Sequence, residues 1–380
     1  FDSLITSVSK EGFNKETPIP IRNAVGQFID GAHRISICIA AQKLIHATTN
    51  FKEIKNLSPI HKNIVNDYRN TPYDKKIFKL YDFEYFKIKG MEEAYLDYMA
   101  LTYIRLNKNC SFLFVYPAGE GKEQNIQEEI KKHGQLIYRK ELFLKNNGPL
   151  LFALQVYEYE PYIGSISNNF KGARHKVSEC FINSKNPLRV YLIECESLEK
   201  TKELKKELRT MFKDHNAIHT NDTHDEAINI AKIVFVQNSI NFLNTAKYKF
   251  FSNFNEFFYK FKNWVKNKES EFFCIDGSAV LSAYGIRDCN DLDILHHKYD
   301  SEINELKSEK IESQNKEIKF HNKNISDIIF DPKNHFYFKG IKFTALNLVE
   351  NFKRNRSSKP NDIVDISLIK SLYSNNYSQL

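Results

Sequence analysis

Long apolar runs, a cysteine framework and arginine-rich blocks are all missing from this chain of 380 residues. No stretch approaches the eighteen or so apolar residues of a membrane-spanning helix, so no membrane span is expected. The six cysteines (Cys38, Cys110, Cys180, Cys195, Cys274, Cys289) are scattered, without the paired spacing of a zinc site. They read as reduced core thiols of a cytoplasmic protein. No methionine opens the chain, which begins at Phe1, so a piece of a longer protein is expected and the lack of a targeting segment carries no weight. Arginine clusters and aromatic-interleaved RNA motifs are also lacking, which makes nucleic acid an unexpected partner. The net charge of +8 mildly favours an anionic partner, although a lysine-, asparagine- and phenylalanine-rich composition accounts for it better.

What is present suffices for real cores. Hydrophobic residues make up 42% of the chain, and its length implies two or three domains. The first region runs over residues 1–109. Its clearest segment is PIPIRNAVGQFIDGAHRISICIAAQKL, residues 18–44, read as a hairpin turning at Arg22-Asn23 and leading into a helix. Asp30, His33 and Arg34 stand at that helix entrance, where free N–H groups favour an anion; the competing reading is a cap and a packed histidine.

The second region, 110–245, alternates strand and helix patterns and reads as an α/β layered domain. Its PAGEGKE segment lacks the Gly-Lys-Ser/Thr ending of a phosphate loop. KGARHKVSEC gathers Lys171, Arg174, His175 and Lys176 within two turns, either as a phosphate-docking face or as a solvated basic helix. In HNAIHTNDTHDEAINIAKIVF, His219 and Asn221 share a strand face. Thr223 and Glu226 have capping-box spacing. The clustering of His215, His219 and His224 leaves a polar-substrate or phosphate site open, and a zinc site without helical His spacing.

The third region, 246–380, begins with KYKFFSNFNEFFYKFKNWVKN, where phenylalanine recurs at helical spacing as core packing. Then comes IDGSAVLSAYGIRDCNDLDIL, residues 275–295. Asp291 and Asp293 share one strand face while Leu292 and Ile294 enter the core. Two carboxylates so close repel, and a divalent cation between them, magnesium or manganese, is the chemistry that reconciles them. The turn at Gly277-Ser278 can then hold the phosphates of a nucleotide bridged to that ion. The charged segment YDSEINELKSEKIESQNKEIKF reads as a solvated helix and loop.

Two of these motifs resemble known families. FIDGAHRISICIA is similar to the Asp-Gly-x-His-Arg motif of the ParB/sulfiredoxin fold, which implies that Asp30, His33 and Arg34 handle phosphate or nucleotide. Ile275, Gly277-Ser278 and Asp291-Leu292-Asp293-Ile294 resemble the core pattern of the nucleotidyltransferase superfamily. AYGIRDCNDLD, with Arg287, and NFKRNRSSKPNDIVDISLI look like its abortive-infection and aminoglycoside-type branches. That likeness implies that Lys353, Arg356, Lys359, Asp362 and Asp365 border the active site. Many members carry a third carboxylate on a neighbouring strand, and only Asp327 and Asp331 are candidates here.

The expected fold class is therefore α/β and α+β multidomain: a ParB/sulfiredoxin-like domain, an α/β middle domain and a nucleotidyltransferase-like end. The implied activity is metal-dependent transfer of a nucleotidyl or phosphoryl-type group, phosphoramidate included. The donor would be an activated nucleotide and the acceptor a sugar or capsular polysaccharide. Catalysis would fall to Asp291, Asp293, Asp327 and Lys353. Nucleotide or phosphate would be bound by Gly277, Ser278 and Arg287, by Asp30, His33 and Arg34, and by Arg174, Lys176, His219 and Asn221. The alternatives are a nucleotidyltransferase toxin or defence protein acting on tRNA or another macromolecule, and a non-catalytic scaffold.

Overall fold

A computed structural model describes residues 19–22, 27–28, 47–48 and 93–377, apart from 120, 183–184, 213–214, 298 and 357–358. Near the N-terminus, β1 (Ile19–Arg22) pairs antiparallel with β2 (Gln27–Phe28) and parallel with β3 (Ala47–Thr48). Its register, Ile21 opposite Phe28 and Arg22 opposite Gln27, is the hairpin expected from the sequence.

The middle of the chain runs α1 (Glu93–Leu106), β4 (Cys110–Val115), α2 (Glu123–His133) and β5 (Gly134–Leu142). It continues through α3 (Gly148–Val156), α4 (Lys171–Cys180), β6 (Leu188–Cys195) and α5 (Leu198–Thr210). It closes with β7 (Ile218–Thr220), α6 (His224–Val234) and α7 (Gln237–Thr245). The four strands form a sheet in the order β5-β6-β4-β7, with every neighbouring pair antiparallel. Alternating strands and helices usually signal a parallel sheet, so this arrangement narrows the layered α/β expectation. Both faces are covered, as the all-buried pattern of β4 requires. Leu113 and Val115 face α2 and α5, packing with Ile126, Ile130, Leu204 and Leu208. Phe112, Phe114 and Tyr116 face the larger core, shared with α1, α3 and α6.

The last part carries α8 (Ser252–Val265), β8 (Phe273–Asp276), α9 (Ser278–Ala283), β9 (Leu292–His296) and α10 (Asp300–Asn304). Next are β10 (Ile311–Ser313), α11 (Ile325–Phe330), β11 (His335–Phe338) and β12 (Ile341–Thr344). Two helices, α12 (Leu346–Arg356) and α13 (Pro360–Tyr377), end it. The five strands order as β10-β9-β8-β12-β11, mixed in direction, with β8 at the centre. Phe254, Phe257, Phe258, Phe261 and Val265 of α8 are buried, which is the apolar stripe its phenylalanine spacing predicted.

The charged segment expected to be solvated departs from that reading. Ile311 is buried and anchors β10 beside β9, while Glu312 and Ser313 stay exposed. A three-residue edge strand with one apolar residue carries no alternating signal, which is why it reads as loop.

The core does not break at residue 245. Phe242 of α7 stacks on Phe336 of β11 at 4.6 Å, and a single cluster runs from Leu96 to Leu372. Cys110, Cys180, Cys195, Cys274 and Cys289 are buried and form no disulfide. No helix among the described residues is long and apolar enough to cross a membrane.

Candidate active site

Strands β8 and β9 run antiparallel at the centre of the five-stranded sheet, in a register that sets Asp276 directly opposite Asp293. Opposed residues of an antiparallel pair project from the same face within about 5.5 Å at Cα. Leu292 and Ile294 point the other way and are fully buried, as their alternation required. The acids descend in depth: Asp291 is exposed, Asp293 half-buried and Asp276 wholly enclosed.

Gly277 explains the turn that follows β8. Its φ is +63°, and a Cβ placed there would fall inside contact distance of the Asp293 carboxylate. Only glycine allows the backbone to lie against that carboxylate. Helix α9 then spans just six residues, so the turn contributes close approach rather than a long helix dipole. Ser278, its first residue, is half-buried.

The electrostatics are uneven. Burial, the charge of Asp291 and the charge of Asp276 push the Asp293 carboxyl up to about 8, with Glu317 adding to the rise and Arg356 opposing it. Asp276 goes the other way. Burial disfavours its charge, but His321 outweighs that penalty, helped by the Gly277 N–H and the Thr344 hydroxyl, and holds it below the usual carboxylate range. His321 Nε2 donates to Asp276 Oδ2 at 2.7 Å. Asp276 Oδ1 makes no hydrogen bond. Like charges this close divide their titration: one stays ionised and the other takes a proton.

A basic wall stands beside the acids. Arg287 forks onto Asp365 at 2.6 and 2.7 Å. Lys353 reaches Asp365 at 2.8 Å and Asp362 at 3.2 Å. Arg356 holds Asp362 at 2.8 and 2.9 Å and Glu317 at 2.6 Å. Lys359 is more exposed and lies 3.9 Å from Glu317. The ring of Phe352 carries the Arg356 guanidinium at 4.5 Å and stacks with His321 at 4.5 Å. Lys353, Arg356, Asp362, Asp365 and Arg287 thus converge from α12, α13 and the loop before β9. In this arrangement Lys353 is enclosed by carboxylates.

Asp327 sits elsewhere. It is exposed and closes a capping box with Asn324 at the start of α11. Asp331 accepts from the Lys333 N–H at 2.9 Å, as a turn residue does. On the neighbouring strand β12, the residue beside Asp276 is Thr344, which follows the Phe343–Ile275 pair. The buried acid opposite Asp293 is Asp276, on β8 itself. Its signal was an aspartate closing an apolar strand just before the Gly-Ser turn. His321 had no signal, lying in a segment dominated by charge.

The middle sheet holds the remaining candidates apart from these. His219 stacks with Phe114 at 6.0 Å, meets Tyr157 edge-on at 4.7 Å, and lies 3.8 Å from Glu226. Asn221 clips two segments together, accepting from Phe112 N at 2.6 Å and donating to Thr223 O at 2.8 Å. Thr223 and Glu226 form the expected cap of α6. Lys176 donates to Asn216 and rests over the rings of Tyr116 and Tyr157. Arg174 is exposed and bonds Asn169. Asp30, His33 and Arg34 lie outside the described residues. Among the described residues, the group of three acid or histidine ligands with atoms within 4.8 Å of one another is Glu129, His133 and Glu207, between α2 and α5. Comparison with protein-family models, curated proteins and solved structures finds no match to this chain.

Proposed function

We propose that this protein is a divalent-cation-dependent transferase that moves a nucleotidyl or phosphoryl-type group, phosphoramidate included, from an activated nucleotide to a sugar or surface polysaccharide. One observation carries the reading: Asp276 and Asp293 oppose each other across β8 and β9, with Gly277 pressed against the Asp293 carboxylate and Asp291 at the mouth. Carboxylates packed this way destabilise the fold unless a cation or proton joins them. Hard oxygen donors of this kind suit magnesium or manganese, with Asp291 and Asp293 as ligands. A cation bound there would neutralise charge developing on a transferring phosphoryl group.

The chain's own residues supply the surroundings. Gly277 lets backbone approach the phosphates, and Ser278 offers a hydroxyl. Arg287 and Arg356, held by Asp365, Asp288 O, Asp362 and Glu317, add positive charge beside the acids. The sugar acceptor follows from the resemblance of the domain string to arrangements in surface-polysaccharide loci, and a cytoplasmic setting from the scattered cysteines, which lack paired spacing.

The test is turnover of each nucleoside triphosphate and nucleotide-activated sugar donor, with and without magnesium or manganese, read by mass spectrometry. Cation-dependent release of a nucleotide product that Asp291→Asn abolishes supports the transferase. Tight cation and nucleotide binding with no turnover on any donor would replace it with a binding scaffold.

A further inference from the structure

Outside the acidic site, a second set of cation donors stands on the helices that cover the middle sheet. Glu129 and His133 lie four residues apart on α2, the spacing by which one helix face offers two ligands to one ion. Glu207 of α5 meets His133 from the neighbouring helix. Ile126, Ile130, Leu204 and Leu208 pack α2 and α5 against the same face of β4, which sets the distance between the three side chains.

That distance suits metal ligands. His133 Nε2 stands 3.4 Å from Glu129 Oε1 and 2.9 Å from Glu207 Oε2, and the three ligand atoms lie within 4.8 Å of one another. Two donors on one zinc ion, each at about 2.0–2.1 Å, are about 2.9 Å apart at a right angle and about 3.4 Å apart at the tetrahedral angle. Hydrogen bonding explains less. Whatever its protonation, Nε2 carries at most one hydrogen, which can serve only one of the two carboxylates fully. The carboxylates are close to each other as well, and bare carboxylates repel. Glu129 is buried and already oriented: Lys132 donates to its Oε2 at 2.8 Å, so that Oε1 is the oxygen facing His133. An outer partner on one oxygen commonly fixes a ligating carboxylate in this way.

The geometry points to a divalent transition-metal site formed by Glu129 Oε1, His133 Nε2 and Glu207 Oε2, which pins α2 to α5. One imidazole and two carboxylates suit zinc, and three protein donors leave a position for water. The site is separate from the cation proposed at Asp291 and Asp293, where every side-chain donor is oxygen.

Zinc titrated into the full chain against a chromophoric chelator tests this without any need for turnover. His133→Gln and Glu207→Gln should each weaken zinc affinity at least roughly ten-fold, since a ligand is worth no less than an outer partner. Asp293→Asn should leave it unchanged. Glu207 is exposed, so its variant keeps the fold even where another might not. In the wild type, one equivalent of zinc should slow amide hydrogen exchange in α2 and α5. A wild-type chain that binds no zinc overturns the site, as does wild-type affinity in both folded variants. Zinc that leaves exchange in α2 and α5 unchanged overturns it too. A loss of affinity in Asp293→Asn instead would place the zinc at the acids and overturn it equally.

Discussion

Two buried charge clusters lie in the C-terminal half, and they are built on opposite principles. At one, Glu271 takes Lys232 at 2.7 Å, Lys342 at 2.8 Å, the Tyr337 hydroxyl at 2.7 Å and Arg105 at 3.5 Å. Lys342 completes its shell on the carbonyls of Glu271 and Ile329. Burial works against the charge of Glu271, but the surrounding cations overcome it and hold the acid far below its ordinary range. At the other cluster, Asp276 and Asp293 face each other, with the neighbouring positive charge of Arg356 too weak to keep Asp293 ionised. A carboxylate whose partners are all supplied by the fold is architecture. One whose partners are missing is where a ligand belongs.

The sharpest break of this contrast is Glu271→Ala. Removing the acid leaves its cations buried and unpaired, and about 3–5 kcal/mol of stability should be lost in chemical denaturation. Replacing Asp293 should do nothing of the kind.

Gly277→Ala comes next. A side chain at φ +63° is strained, and here it also collides with the Asp293 carboxylate. A loss of about 1–3 kcal/mol is expected, and cation binding should fall with it because Asp293 must move. An alanine variant as stable as the wild type and with full manganese affinity would remove Gly277 from the site.

Asp293→Asn sharpens the comparison through pH. The carboxyl of Asp293 is raised to about 8 from an ordinary value of 3.8, so between these limits the folded state binds more protons than the unfolded one. Its contribution to cation-free stability is complete below pH 4 and is lost as pH rises through about 8, by at most about 1.4 kcal/mol per pH unit. The asparagine variant should lack that slope and be no less stable than the wild type at pH 8, while losing cation-dependent activity. Parallel stability curves for the two proteins in metal-free buffer would show that Asp293 is ordinary.

The smallest effect is expected for Arg287→Lys. The half-exposed guanidinium gives up its two-pronged hold on Asp365, which is worth about 1 kcal/mol or less in stability. Nucleotide affinity should fall further than stability does.

Much of the acidic site was legible beforehand. Asp291 and Asp293 with Leu292 and Ile294 between them state their own geometry, because a strand's side chains alternate. The Gly-Ser turn announced a close backbone approach, and Gly277 does lie against the Asp293 carboxylate. The basic wall was legible only through resemblance, since Lys353, Arg356, Asp362 and Asp365 lie on two helices and Arg287 on a loop far earlier in the chain. His219 and Asn221 show what a local reading cannot separate. Polar side chains with a packing or clipping duty have the same composition as polar side chains awaiting a ligand, and burial alone separates them.

By itself, the sequence determined the periodic features: the phenylalanine stripe of α8, the cap at Thr223 and the spacing of Asp291 and Asp293. Each depends on neighbours within a few residues, where backbone geometry dictates which side chains share a face. Only the tertiary structure decided that the middle sheet is antiparallel, that one core crosses residue 245, and that Asp276 meets His321 across forty-five positions. Those outcomes depend on which strands pair and how deeply each group is buried. Pairing and depth belong to the packed chain as a whole, and no local spacing records them.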